Sequence, residues 1–384
     1  MTDLDGGNVF VGARLTEARE AMALRITSLS NLIGVSYQMV YNYENGLKQP
    51  GAETFVRICT VLDQPALFFY NGNFEREYSH DAVHFRDSSA SKSESRQQVG
   101  TRIKWLLEFY SFLQQKLSLP KPNFPNIDVP SDPTLINQDL IEHVARETRR
   151  LWNLGDEPLP NLIRVLELNG AVVCQTALDL PHMDGASFWS RRRERPFILL
   201  NMDKASYVRS RFDVAHELGH MLLHRNVVEG RVRGTSMYRK MEDQAHNFAS
   251  ALLLPRESWL RDVRGFTIGA FKSLKPKWRA SIQSMIMRAA ALGTISPDKK
   301  TSLMKQLSAR QWRTREPYDE MWEVERPKLM GQATTMLTEN GLGISVISRA
   351  FPIRPDNFSE ISGLPKAFFE TETLPIKADR GILN

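Results

Sequence analysis

The run His216-Glu217-Leu218-Gly219-His220 constrains this chain more than any other stretch. Histidines at i and i+4 share a face only on a helix. The run therefore predicts a helix that brings two imidazole nitrogens within reach of one ion. Zinc suits such nitrogens, at about 2 Å. Glu217 lies near the ion but outside its first shell, where it is suited to take a proton from a water that the ion holds. The surrounding pattern supports a helix from about Ser206 to His224, with Phe212, Ala215, Gly219 and Leu223 packing inward beside the histidines. With 8 histidines in 384 residues, a chance occurrence of the run is an event of roughly one in a hundred.

A catalytic zinc site needs a third protein ligand and leaves one position open. Four sources are available. His224 continues the i, i+4 series, but three histidines on one helix rarely converge on one ion. A downstream histidine of the metzincin kind needs glycine and histidine where this chain has Leu223 and Asn226, so that class is excluded. Glu242 and Asp243 lie on the next expected helix, from about Lys240 to Leu253 with Pro255 at its end, and spacing favours neither strongly.

The stretch Arg211–His224 resembles the ImmA/IrrE metallopeptidase family, as do Met241-Glu242 through Phe248-Ala249 and Leu252-Leu253-Leu254-Pro255. The resemblance covers about residues 136–260 and takes in Trp152, Pro158, Asn161-Leu162-Ile163 and the strand Pro196–Asn201. It implies that Glu242 is the third zinc ligand beside His216 and His220, and that Glu217 is the catalytic base. The chain departs from the family habit at Gln244, where glutamate is common, and at His246, where asparagine is common. Tyr207, Arg211 and Tyr238 are the candidates for stabilising an oxyanion. The strand Pro196–Asn201 is expected to offer an edge to an extended substrate.

Residues 10–70 follow helix-turn-helix logic. Val11, Leu15 and Ala18 repeat at helical spacing, and Ser28, Leu29, Leu32 and Ile33 signal a second helix that Gly34 ends. Ser36 is an N-cap for Tyr37–Glu44, Asn45-Gly46 stops that helix, and Phe55, Ile58 and Leu62 mark a fourth. The stretch resembles the XRE, or Cro/repressor-like, DNA-binding family through Leu15, Arg19, the run Ser28–Ser36, Tyr43-Glu44-Asn45-Gly46 and Gln49-Pro50. Its third helix is expected in a major groove, with Gln38 and Asn42 able to pair with adenine. Tyr37, Tyr41 and Tyr43 are placed for phosphates or thymine methyls, and Val40 for the core. The domain is electrically neutral between residues 9 and 70, which predicts low non-specific DNA affinity.

The expected class is α+β and mostly helical: an N-terminal all-α helix-turn-helix, a central gluzincin-like metallopeptidase with a small β-sheet, and a helical C-terminal region. The expected boundaries are 1–72, a linker over 73–135, the peptidase over 136–260 and the helical region over 261–384. The linker contains the serine-rich run Ser88–Ser95, a helix over Val99–Leu117 and a proline-rich crossing from Pro120 to Pro133. Short strands are expected at Ala171–Thr176, Ala186–Trp189 and Pro196–Asn201, and a solvated hairpin loop at Ser190–Arg195. Residues 266–317 resemble the tail of XRE–ImmA/IrrE fusions, 327–364 read as a small helical bundle, and the last twenty residues are weakly patterned.

The net charge of +6 is compatible with nucleic acid without requiring it. Cys59 and Cys174 are isolated and read as reduced thiols. The acidic start Met1–Asp5 lacks the marks of a signal peptide, and no stretch reaches the length of a membrane span. The expected location is the cytoplasm. The resemblance implies a regulator that binds double-stranded DNA, possible as a homodimer, and uses zinc to cleave a repressor, an antitoxin-like partner or itself after a stress or phage-related signal. Two other roles fit the same motifs: a regulator whose zinc domain senses a ligand or single-stranded nucleic acid, and the toxin of a toxin–antitoxin pair.

Overall fold

The computed structural model describes residues 9–72, 83–87, 93–177, 180, 183–203, 206–227 and 235–370. Of these, residues within 1–74, 108–117 and 330–384 form one unit, and residues within 75–107 and 118–329 form another. The helices after residue 260 are thus divided between the two. The fold is α+β and mostly helical, as expected.

The first unit opens with α1 (Gly12–Ala21), α2 (Ile26–Ile33), α3 (Tyr37–Glu44) and α4 (Ala52–Leu62). Gly34 ends α2 with φ +68°, a left-handed value that glycine takes without strain. Ser36 then caps α3, its side chain accepting from the Met39 amide. These two residues make the tight turn. Leu15, Ala18, Leu29, Ile33, Val40, Ile58 and Leu62 are buried behind it. Gly12 lets α1 meet the end of α3, because a Cβ there would lie 2.3 Å from the Tyr43 carbonyl oxygen. Arg19 Nε donates to Glu44 Oε1 at 2.5 Å and ties the same two helices.

The second unit contains β1 (Val83–Asp87), the part of α5 (Ser93–Lys116) up to Leu107, α6 (Gln138–Leu151), α7 (Leu162–Leu168), β2 (Val172–Thr176), β3 (Met183–Ser190) and β4 (Arg195–Asn201). There follow α8 (Tyr207–Leu223), α9 (Ser236–Leu253), α10 (Arg256–Asp262), α11 (Ile268–Trp278), α12 (Ile282–Ala291) and α13 (Pro297–Ala309). The strands form one sheet in the order β1-β3-β4-β2. β2 and β4 are parallel, and the other pairs are antiparallel. Exposed Arg191, Arg192 and Glu194 lie in the hairpin turn between β3 and β4, as the sequence suggests.

Two expectations need correction. The strand at Pro196–Asn201 lies inside the sheet, between β3 and β2, so it has no edge to offer a substrate. The outer edge of β3 is paired instead with β1, a strand expected to be linker. A five-residue edge strand is stabilised by its neighbour more than by its own pattern, so sequence periodicity does not report it. Residues 88–92 of the serine-rich run lie outside the described residues, and Ser93 already opens α5. The final fourteen residues also lie outside them.

The core of the second unit joins Val144, Trp152, Leu166, Ile198, Leu218, Phe248, Trp259, Phe271 and Ile286. The proline-rich crossing closes one side of it. Gly170 has φ +88° and sits so close to that crossing that a Cβ would stand 2.7 Å from the Lys121 carbonyl oxygen. Gly219 is constrained less tightly at the α8–α9 contact, where a Cβ would meet Phe248 Cδ1 at 3.0 Å and the Ala245 backbone at 3.2 Å. Gly219→Val is therefore expected to destabilise by about 1–3 kcal/mol through overpacking. Urea unfolding checks this, and an unchanged midpoint would remove Gly219 from the account of how α8 meets α9.

The first unit is completed by α14 (Leu329–Glu339), α15 (Ile344–Ala350), α16 (Pro355–Ser362) and α17 (Ala367–Glu370). Contacts around the start of α16 reach the residues that follow α4. Gln64 Nε2 donates to Asn357 Oδ1 at 3.0 Å, and Arg354 pairs with Asp63. Among the described residues, no helix is long and apolar enough to cross a membrane.

Candidate metal centre

Ser206 caps α8 by accepting from the Arg209 amide, and the helix runs unbroken through the His216–His220 turn. Its inner face lies against β3 and β4. Gly219 brings α9 close enough for Glu242 to reach the two histidines. His216 Nε2 and His220 Nε2 stand 3.0 Å apart. Glu242 Oε2 lies 3.4 Å from the first, and Oε1 lies 3.3 Å from the second. Burial alone would raise the Glu242 carboxyl, but the adjacent imidazoles overcome it and hold the group far below the ordinary carboxylate range.

The structure thus gathers three of the four residues singled out for the zinc site around one point. Donor atoms held tetrahedrally at about 2.0–2.1 Å from zinc lie about 3.3 Å from one another. The observed separations fit such an ion. A second grouping, His216, Glu242 and His246, offers ligand atoms within 4.8 Å of one another. It is looser than the first. His246 Nδ1 is bonded to the Glu242 carbonyl oxygen at 2.7 Å, so any ligation by this ring would run through Nε2. We therefore place His246 beside the centre, with its ring 4.4 Å from that of His216.

Glu217, the fourth residue, is fully buried. Its Oε2 accepts from Ser187 Oγ on β3 at 2.5 Å. Gly185, two residues earlier on β3, has no side chain, and a Cβ there would stand 3.4 Å from Glu217 Oε1. Neither Ser187 nor Gly185 is legible as a site residue, because contact between β3 and α8 is set by tertiary packing. His224 and Asp243 do not join the ligand group. His224 turns its Nδ1 to His220 Nδ1, and Asp243 is exposed on the wall of a cleft. That cleft, of about 1280 Å³, runs from Phe212 and His246 towards Ser284, Lys300 and Arg313.

Two oxyanion candidates have other work. Arg211 is buried and pairs with Glu325, while donating to the Pro160 carbonyl at 2.6 Å. Tyr207 lies under that guanidinium and against Trp322. For the helix-turn-helix, α3 exposes Tyr37, Gln38 and Tyr41 and leaves Asn42 half-buried. Gln38 Nε2 donates to Asn42 Oδ1 at 3.1 Å, so the two side chains form one polar patch. Tyr43 is only 3% exposed and belongs to the core, which corrects its assignment to DNA. Arg14 and Arg19 are buried in ion pairs with Glu108 and Glu44, which reduces the cations left for phosphates.

Residues 15–69 match the family model described as Helix-turn-helix. Residues 167–289 match the peptidase M78 model described as IrrE N-terminal-like domain. The chain therefore carries an XRE-type helix-turn-helix and an IrrE-like metallopeptidase-type domain. The second match begins after α6 and reaches α12, later at both ends than the sequence resemblance. It contains the helices of the metal centre and excludes β1. No curated protein matches the chain.

Proposed function

We propose that the chain is a DNA-binding transcription regulator whose IrrE-like domain is a zinc-dependent endopeptidase. His216, His220 and Glu242 hold the ion, and Glu217 is the general base. The observation that carries this reading is the convergence of three side chains, with donor atoms 3.0–3.4 Å apart, beside a buried glutamate. Zinc, when bound, supplies a Lewis acid that lowers the pKa of water and polarises a carbonyl. Glu217 takes the proton of the attacking water and returns it to the leaving amine. Ser187 holds the carboxylate in one orientation for both transfers.

The substrate is a protein: a repressor, an antitoxin-like partner or the chain itself. Because β1 fills the outer edge of β3, the cleft beside His246 is the approach favoured for it. The reading places the protein in the cytoplasm, on operator DNA and as a homodimer. The test is to express wild type and Glu217→Gln beside the neighbouring genes and search the proteome by mass spectrometry. A protein shortened only by the wild type supports cleavage, and identical proteomes reject it.

Burial of the centre favours a second reading. His216 and Glu217 have no exposure, and the Glu242 side chain has 21%. A regulator that senses a ligand through its zinc domain needs no room for a polypeptide. Altered transcription with an unaltered proteome selects that role.

On the DNA side, Gln38→Ala and Asn42→Ala are each expected to weaken operator binding by about 1–3 kcal/mol, or roughly 5- to 150-fold. Fluorescence anisotropy with the protein's own promoter measures this. Equal loss on unrelated DNA would show that these residues do not read bases.

A further inference from the structure

Behind His220 lies a chain of polar contacts that the zinc reading does not use. Gln244 Nε2 is 2.7 Å from the Pro133 carbonyl oxygen and 2.8 Å from that of Ile136. Gln244 Oε1 is 2.9 Å from His224 Nε2, and His224 Nδ1 is 3.0 Å from His220 Nδ1. His224 is fully buried, and Gln244 is 4% exposed.

Each link has a direction. A backbone carbonyl can only accept, so the atom facing Pro133 and Ile136 must be the amide nitrogen, and both its hydrogens are engaged. The amide oxygen therefore faces His224, and His224 Nε2 must carry a proton. In the neutral imidazole one ring nitrogen carries the proton and the other a lone pair. His224 Nδ1 is then a lone pair, and His220 Nδ1 must donate to it. In that tautomer His220 Nε2 is unprotonated and turned towards His216 and Glu242, the form a metal ligand requires.

We propose that His224 and Gln244 are positioning residues that fix the tautomer and ring plane of His220. The inference rests on the zinc reading for its purpose and on the hydrogen-bond directions alone for its content. It also gives the glutamine at 244 a physical meaning. A carboxylate can accept from His224 but cannot donate to Pro133 and Ile136. Glutamine does both, so it links the turn before α6 to the metal centre through one side chain.

Two measurements test the proposal. In histidine-selective ¹⁵N NMR of the whole protein, with and without added zinc, His220 is expected to be protonated at Nδ1 and His224 at Nε2. Finding His224 protonated at Nδ1, or His220 at Nε2 in the zinc-treated protein, overturns the relay even if no variant folds. In zinc competition, His224→Phe and Gln244→Met are expected to bind zinc 10- to 100-fold more weakly. Gln244→Glu, which keeps an acceptor for His224, should stay within a few-fold of wild type. Unchanged affinity in His224→Phe and Gln244→Met overturns the positioning role. If the wild type binds no zinc, the zinc reading fails while the tautomers still decide the relay.

Discussion

Glu217→Gln is expected to lower the rate of peptide-bond cleavage by about 10²–10⁴-fold, the usual contribution of a positioned base. Zinc content should be unchanged. The reason lies in where the side chain sits. Glu217 is buried and accepts from Ser187 Oγ at 2.5 Å. Glutamine preserves that contact and the packing, but its amide oxygen is a poor proton acceptor. The ligand residues are untouched, so the variant should hold metal and fold like the wild type. Ser187→Ala should give a smaller loss at equal zinc content, because the base remains and only its orientation is loosened. The measurement is cleavage of the protein that disappears on wild-type expression, using purified zinc-treated enzyme. Equal rates for wild type and Glu217→Gln would remove Glu217 from the chemistry.

The first half of that site was legible because helical spacing ties histidines four apart to one face. The second half was less so. Glu242 and Asp243 differ by one position on α9, or about 100° around the helix. Spacing alone does not select between them; the family resemblance points to Glu242, and the geometric reason is where α8 crosses α9, a contact at which Gly219 sits. Ser187 and Glu325 carried no local signal, and Gln244 showed only as a departure from the family habit, without its partners. Each acts on a residue at least twenty positions away, and sequence pattern reads neighbours. The same limit explains β1. The helix-turn-helix was the opposite case, because Gly34 and Ser36 write its turn locally. Even there, Tyr43 sits two positions from Tyr41, and helical phase sends one to the core and the other to solvent.

Arg211→Met should cost about 3–5 kcal/mol, the range for breaking a buried ion pair from one side. Arg211 is 1% exposed and lies on α8 just over one turn before His216. Its guanidinium pairs with Glu325 and donates to the carbonyls of Pro160 and Leu159, the latter at 3.1 Å. Glu325 in turn accepts from the Leu162 and Ile163 amides at 2.7 and 3.2 Å, so it caps α7. One arginine therefore joins α8, the start of α7 and a segment more than a hundred residues downstream. Methionine fills similar volume but leaves the carboxylate buried without its cation and two carbonyls without their donor. Adding Glu325→Leu should recover part of the loss, since removing both charges is cheaper than stranding one. The recovery should be incomplete, because the α7 cap goes with the glutamate. Urea unfolding of both single variants and the double variant separates these contributions. A loss below about 1 kcal/mol in Arg211→Met would place Arg211 among the weak ion pairs of the surface and leave packing alone to hold α8 at the metal centre.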